Sequence, residues 1–210
     1  MNGNTAPYPV TLTVDYPDRS LNRPTTFFRL FTAIPIAVVL GLLLWWGDSS
    51  GNDTERWGNA AAVGFVFLPT VLMLLFRRKY PRWWFDWNLN LHRFSLRVCA
   101  YLALLRDEYP STDEEQAARL SVDYPNALQL NRWLPLIKWL LAIPHLFVLA
   151  FLQVAAMFCV VIAWFAILFT GRYPRPLFNF VVGVMRWTAR VFWYAILLTT
   201  DRYPPFSLSE

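Results

Sequence analysis

Two pairs of arginines carry the most legible chemistry in the chain: Arg93 with Arg97, and Arg186 with Arg190. Side chains four residues apart share one face of a helix. Two guanidiniums on one face present permanently charged, forked donors that match phosphate and carboxylate oxygens. Each pair therefore reads as a site for anionic lipid or another anionic ligand. A basic side chain near an anionic leaflet contributes about 1 kcal/mol. Arg82 and Arg175, each directly after a Tyr-Pro, extend the same basic character. A structural reading competes with this one: Asp15, Asp107, Asp123 and Asp201 are available to pair with the arginines and fix the fold. Asp15 and Asp123, each before Tyr-Pro, are also suited to capping turns.

Two further ionisable groups fall within long apolar runs. His145, after Pro144, has the position of an intramembrane proton relay and equally that of a hydrogen-bonded packing residue. Lys138 and its counterpart Arg29 lie near the starts of apolar runs, from which long side chains snorkel to the interface. His92 has no metal-ligand partner at useful spacing. Cys99 and Cys159 sit in apolar segments and read as packing residues. No Gly-rich phosphate loop, His-Glu-x-x-His, Gly-x-Ser-x-Gly or metal-ligand cluster occurs. No metal and no cofactor is expected, and the chain reads as non-enzymatic.

The elements that must position these residues are apolar and long. Of 210 residues, 56% are hydrophobic and 16% charged, against roughly a quarter charged in soluble chains. The 11 Trp and the Tyr residues suit the headgroup level of a bilayer. The net charge of +5 then points to anionic lipid, not nucleic acid. The first 24 residues are polar and lack an apolar core, so no cleaved signal peptide is expected. Apolar runs over 27–46 and 60–76 are each near the roughly 20 residues that cross a bilayer. The run 133–170 is too long for one crossing without strong tilt.

The chain is written twice. Val14-Asp15-Tyr16-Pro17 returns as Val122-Asp123-Tyr124-Pro125, Leu21-Asn22-Arg23 as Leu130-Asn131-Arg132, and Ala33-Ile34-Pro35 as Ala142-Ile143-Pro144. Tyr80-Pro81-Arg82 returns as Tyr173-Pro174-Arg175, and Arg93, Arg97, Tyr101 as Arg186, Arg190, Tyr194. Ordered matches of this kind define a repeat, with units at 8–110 and 119–208 and an acidic linker at 111–118. Aligning the units places a chain reversal near 153–155, within the long run, although no Gly, Pro or Asn marks a turn there.

After each basic Tyr-Pro comes an amphipathic segment, 83–105 and 177–200. Asp86, Asn90, Arg93, Arg97 and Tyr101 share one wedge, matched by Asn179, Gly183, Arg186, Arg190 and Tyr194. Lying flat, such a helix buries its broad apolar side and aims its arginines at phosphates. Crossing the bilayer, it would bring each arginine to the core at roughly 2.5–3.5 kcal/mol. The basic cluster Arg77, Arg78, Lys79 and Arg82 places that end, both termini and the linker in the cytoplasm, with the 47–59 loop outside.

The run Lys138-Trp139-Leu140-Leu141-Ala142-Ile143-Pro144-His145, the stretch Ala163–Pro174 with its Thr170-Gly171-Arg172-Tyr173-Pro174, and the closing Thr199-Thr200-Asp201-Arg202-Tyr203-Pro204-Pro205-Phe206 resemble a bacterial membrane family known as domain of unknown function 4389. The resemblance covers 119–208. The first unit looks like a degenerate copy, with Arg77-Arg78-Lys79-Tyr80 in place of Thr170-Gly171-Arg172-Tyr173 and an added loop at 47–59. The resemblance implies membrane class and bacterial origin and brings no activity.

The expected fold is an all-α integral membrane protein. It is a tandem duplication of a transmembrane helical hairpin plus an amphipathic interfacial helix. The expected role is a non-enzymatic accessory or scaffold subunit of the bacterial inner (cytoplasmic) membrane, multi-pass, binding anionic lipid and other membrane subunits. The alternative is a small transporter or channel built from inverted repeats.

Overall fold

Alternation of apolar and polar residues over two five-residue segments builds a pair of strands, β1 (Val10–Val14) and β2 (Ala118–Val122). The structure, a computed structural model, describes residues 8–17, 21–44, 67–112 and 114–209. The strands are antiparallel, with Leu12 opposite Leu120 at the centre. Val10, Leu12, Leu120 and Val122 bury one face, while Thr11, Thr13, Arg119 and Ser121 project from the other. The all-α expectation is corrected here: β1 lies in the polar opening stretch, and β2 begins at Ala118, the last residue of the acidic linker. A period-two pattern only five residues long is invisible to a search for helix-length apolar runs.

Helices α1 (Arg23–Leu44), α2 (Phe67–Arg77), α3 (Arg82–Leu102), α4 (Pro135–Thr170) and α5 (Arg175–Ala195) complete the described chain. Pro81 and Pro174 hold extended backbone directly before α3 and α5, as a ring that fixes φ and donates no N–H allows at a helix start. The last turn of α2 widens into a π-helix, Met73–Arg77, and stops at the left-handed Arg78. Gly171, at φ 73°, ends α4. The 47–59 loop and residues 60–66 of the second expected apolar run lie outside the described residues.

The reversal expected near 153–155 is absent. α4 runs unbroken for 36 residues, because residues 153–155 hold no Gly, Pro or Asn to break the helix. Pro144 is accommodated within the helix. The buried positions of α4 are Pro135, Lys138, Ala142, His145, Leu149, Ala156, Ala163 and Ile167, a narrow stripe spaced by three, four or seven residues. The other sides leave Leu140, Phe147, Phe151, Phe158, Ile162 and Phe169 exposed. Among the described residues, α4 is the helix long and apolar enough to cross a membrane by length and composition.

The apolar face of the sheet rests on α3 and α5, sharing one core with Trp84, Phe85, Leu89, Leu96, Ala189 and Trp193. α4 lies antiparallel along the whole of α5: Lys138 meets Tyr194, His145 meets Trp187, and Ile167 joins Phe178. The first turn of α1 packs on the far end of α4, where the Trp164 indole donates to the Thr26 carbonyl (3.3 Å) and Arg23 to that of Phe169 (3.2 Å).

Candidate anion-binding site

Each arginine of the amphipathic helices reaches a strand or a loop. Arg93 Nε donates to the Leu120 carbonyl at 3.0 Å and Arg186 Nε to the Leu12 carbonyl at 3.0 Å. The ladder explains why those carbonyls are available. Asp15 N–H bonds Ala117 and Asp123 N–H bonds Pro9, so pairing alternates and leaves Leu12 opposite Leu120 as a non-hydrogen-bonded pair. Their carbonyls point out of the ladder, one toward α5 and one toward α3. Arg97 Nη1 donates to the Ser111 carbonyl (2.6 Å), and Arg190 Nη1 to that of Ser207 (3.4 Å).

The candidate aspartates have other partners. Asp107 pairs with Arg29 and Asp201 with Lys138, the latter at 2.7 Å. The same two carboxylates accept the backbone N–H of Asn22 (2.9 Å) and Asn131 (2.6 Å), tying down the approaches to α1 and α4. Arg29 also lies over the Tyr101 ring, and Lys138 over Tyr194. Neither cation snorkels: Arg29 is 3% exposed and Lys138 0%. Each is compensated inside by a carboxylate and a carbonyl that accept its donors. Asp15 lies 4.0 Å from Arg119, both being exposed, and Asp123 is exposed directly after β2.

Arg82 and Arg175 stack over tyrosine rings, Arg82 on Tyr124 (4.7 Å) and Arg175 on Tyr16 (5.0 Å). Cation–π geometry of this kind contributes roughly 0.5–1 kcal/mol at exposed sites. Tyr124 donates to the Tyr80 carbonyl and Tyr16 to that of Tyr173. The Tyr-Pro elements thus clasp one another across the molecule. A cavity of about 630 Å³ opens beside Arg82, with Arg78 and Lys79 on its wall.

His145 is wholly buried, accepts a hydrogen bond from the Trp187 indole at Nδ1 (3.1 Å), and stacks on Phe206. An acceptor Nδ1 places the ring proton on Nε2. Aromatic rings surround it, so it packs the seam between α4 and α5.

A polar cavity of about 540 Å³ lies between α3 and the outward face of the sheet. Arg93, Arg97 and Arg119 line it, with Asn90, Thr13 and Ser121; Glu115 is its one acid among the described residues. Burial, then the adjacent charge of Arg93, depresses the Arg97 pKa, and Glu115 opposes them. Arg97 Nε is buried without a hydrogen-bond partner among the described residues.

Residues 133–207 match the family model of DUF4389, a domain of unknown function. The DUF4389 segment holds α4, α5, the Lys138–Asp201 pair and His145, and begins after β2. It leaves out Arg93, Arg97 and the polar cavity. No curated protein and no solved structure matches the chain.

Sequence reasoning placed Arg93, Arg97 and Asn90 on one wedge, and the structure brings these three to one cavity. Arg119, Thr13 and Ser121 were missed. The signal that could have found them is the alternation Val-Thr-Leu-Thr-Val against Ala-Arg-Leu-Ser-Val, directly before each Asp-Tyr-Pro.

Proposed function

We propose that the chain is a non-enzymatic scaffold subunit of the bacterial inner membrane, held against lipid by the outer faces of α4 and α1. One observation carries this reading: α4 buries a single narrow stripe and leaves the rest of its circumference as Leu, Ile, Val and Phe open to the surroundings. α1 adds Phe27, Phe28, Phe31, Ile34 and Val38. Soluble proteins rarely carry contiguous apolar patches above a few hundred Å², and lipid is the solvent that fits this surface. Exposed Trp83, Trp87, Trp133 and Trp139 suit the headgroup level.

The two halves act as copies related by a twofold axis through the Leu12–Leu120 pair. Support comes from contacts that recur in matched form: Arg93 to Leu120 with Arg186 to Leu12, Arg29–Asp107 with Lys138–Asp201, and Arg82 on Tyr124 with Arg175 on Tyr16. Left-handed Leu104 and Leu198, after α3 and α5, form another such pair. The axis of an antiparallel pair stands perpendicular to its sheet. Both copies therefore turn the same face toward a membrane that runs parallel to the sheet.

Depth follows from packing. Because α4 accompanies α5 along its whole length, the two helices share one orientation in the bilayer. The middle of α5, at Arg186, is bonded to β1, so upright helices would sink an open-edged sheet with Thr11, Thr13, Arg119 and Ser121 to mid-depth. Unsatisfied strand edges do not occur in hydrocarbon. α4 is also about 54 Å long at 36 residues, against a core of roughly 30 Å. The helices lie in the plane of one leaflet, α4 deepest and the sheet on the water side. The multi-pass hairpin and the inverted-repeat transporter both lose support on this reading.

Depth is measured with single spin labels at Leu140, Phe151 and Phe165 in a C99A/C159A background. All three report one shallow depth if α4 lies flat. A passage from one interface through the midplane to the other would sink the in-plane arrangement. The scaffold role is tested by purification in mild detergent: anionic lipid and a partner protein should be retained, and a chain that always elutes bare counts against it.

A further inference from the structure

We propose that the cavity between α3 and the polar face of the sheet binds a phosphate-type oxyanion. This goes beyond the scaffold reading and does not rest on it. Three guanidiniums, of Arg93, Arg97 and Arg119, line the cavity with one carboxylate, that of Glu115, among the described residues, and Asp15 lies 4.0 Å from Arg119 outside that lining. Among the described residues Arg93 donates to the protein through its Nε, and it lines the cavity. Arg97 spends one Nη on Ser111, and its buried Nε meets no partner among the described residues. A cation that is partly desolvated beside another cation is stabilised by an anion placed between them. The fork of an arginine is matched in geometry by two oxygens of one phosphate. The Thr13 and Ser121 hydroxyls and the Asn90 amide line the same space and can complete the ligation of a tetrahedral anion.

The second arginine pair shows what an occupied groove looks like. There the chain's own closing residues fill the space: Arg186 donates to the Leu208 carbonyl (3.0 Å) and Arg190 to that of Ser207. The segment fits because Gly183 has no side chain; a Cβ there would stand 2.8 Å from Leu208 Cβ. At the matching place in α3 stands Asn90, which lines an open cavity. One groove is thus filled by carbonyls and built for apolar closure. The other is open and polar.

The ligand chemistry is common to a soluble phosphate compound and to a lipid headgroup ending in a phosphate. Two arms separate these sources. Calorimetry of the detergent-solubilised full chain with inorganic phosphate reports the soluble arm. Nanodiscs of neutral lipid, with or without phosphatidic acid, report the headgroup arm. Saturable binding in either arm is expected, weakened at least tenfold by Arg97→Gln and unchanged by Arg190→Gln in the filled groove. Asn90→Leu, which blocks the cavity without touching an arginine, should also abolish binding and guards against misfolding of the Arg97 variant. Absence of binding in both arms overturns the proposal. So does binding indifferent to both Arg97→Gln and Asn90→Leu, or lost equally in Arg190→Gln.

Discussion

Lys138 and Asp201 join the start of α4 to the segment after α5, and the lysine has no exposed surface. Removing one member of a buried pair leaves the other charge without compensation, at about 3–5 kcal/mol. Lys138→Met should therefore destabilise the fold by about 3 kcal/mol, the low end because the Asp201 carboxylate is 27% exposed. The double variant with Asp201→Asn should recover most of that loss, and thermal unfolding in detergent measures both. His92 makes a pH-dependent contribution. Burial against Phe192 and Trp193 pushes its pKa from 6.5 down to about 4. Between those values the unfolded chain binds a proton that the folded chain refuses, so stability falls as pH drops from 6.5 toward 4. His92→Phe should flatten that stretch of the unfolding-temperature profile; an unchanged slope would locate the acid sensitivity elsewhere. At this scale the sequence revealed which residues are ionisable and which share a face. It could not reveal that Asp107 and Asp201 choose Arg29 and Lys138, because that choice depends on chain segments brought together from more than sixty positions apart.

Among the elements, the amphipathic helices were legible because 21 residues in each vote on one two-faced pattern. Their starts were legible too, since Tyr-Pro cannot continue a preceding helix. The strands were not, with five residues each and a single neighbour to pair with. α4 was misjudged at its centre because the repeat register suggested a reversal that the local residues do not favour. Packing of the closing segment also escaped the sequence, although Gly183 at the position of Asn90 is its trace. Gly183→Val should push Leu208 away and release residues 205–209 from the α5 groove. Amide exchange would show it as faster exchange in that segment alone, and unaltered protection would mean that the groove tolerates a side chain.

For the molecule as a whole, the matched contacts run between the halves as often as within them. The arginine of one half reaches the strand of the other, and each Tyr-Pro clasp joins α3 or α5 to the opposite strand's end. Two chains cut at residue 113 and produced together should therefore assemble one to one. The 114–210 piece made alone should pair with itself, β2 against β2, in place of the lost β1. Native mass spectrometry from detergent reads both states. Folded, solitary pieces would show that the exchanged contacts contribute little.

Arg93 and Arg186 have a consequence for self-assembly. Each guanidinium stands on the outward carbonyl at the midpoint of a strand whose far side meets no further strand among the described residues, and so occupies the place where a foreign chain would begin to add. Arg93→Met leaves that rim bare. Such a variant, held at fixed detergent and protein concentration, should polymerise strand upon strand and scatter increasing light with time, whereas the Lys replacement, which still donates to Leu120, should stay dispersed.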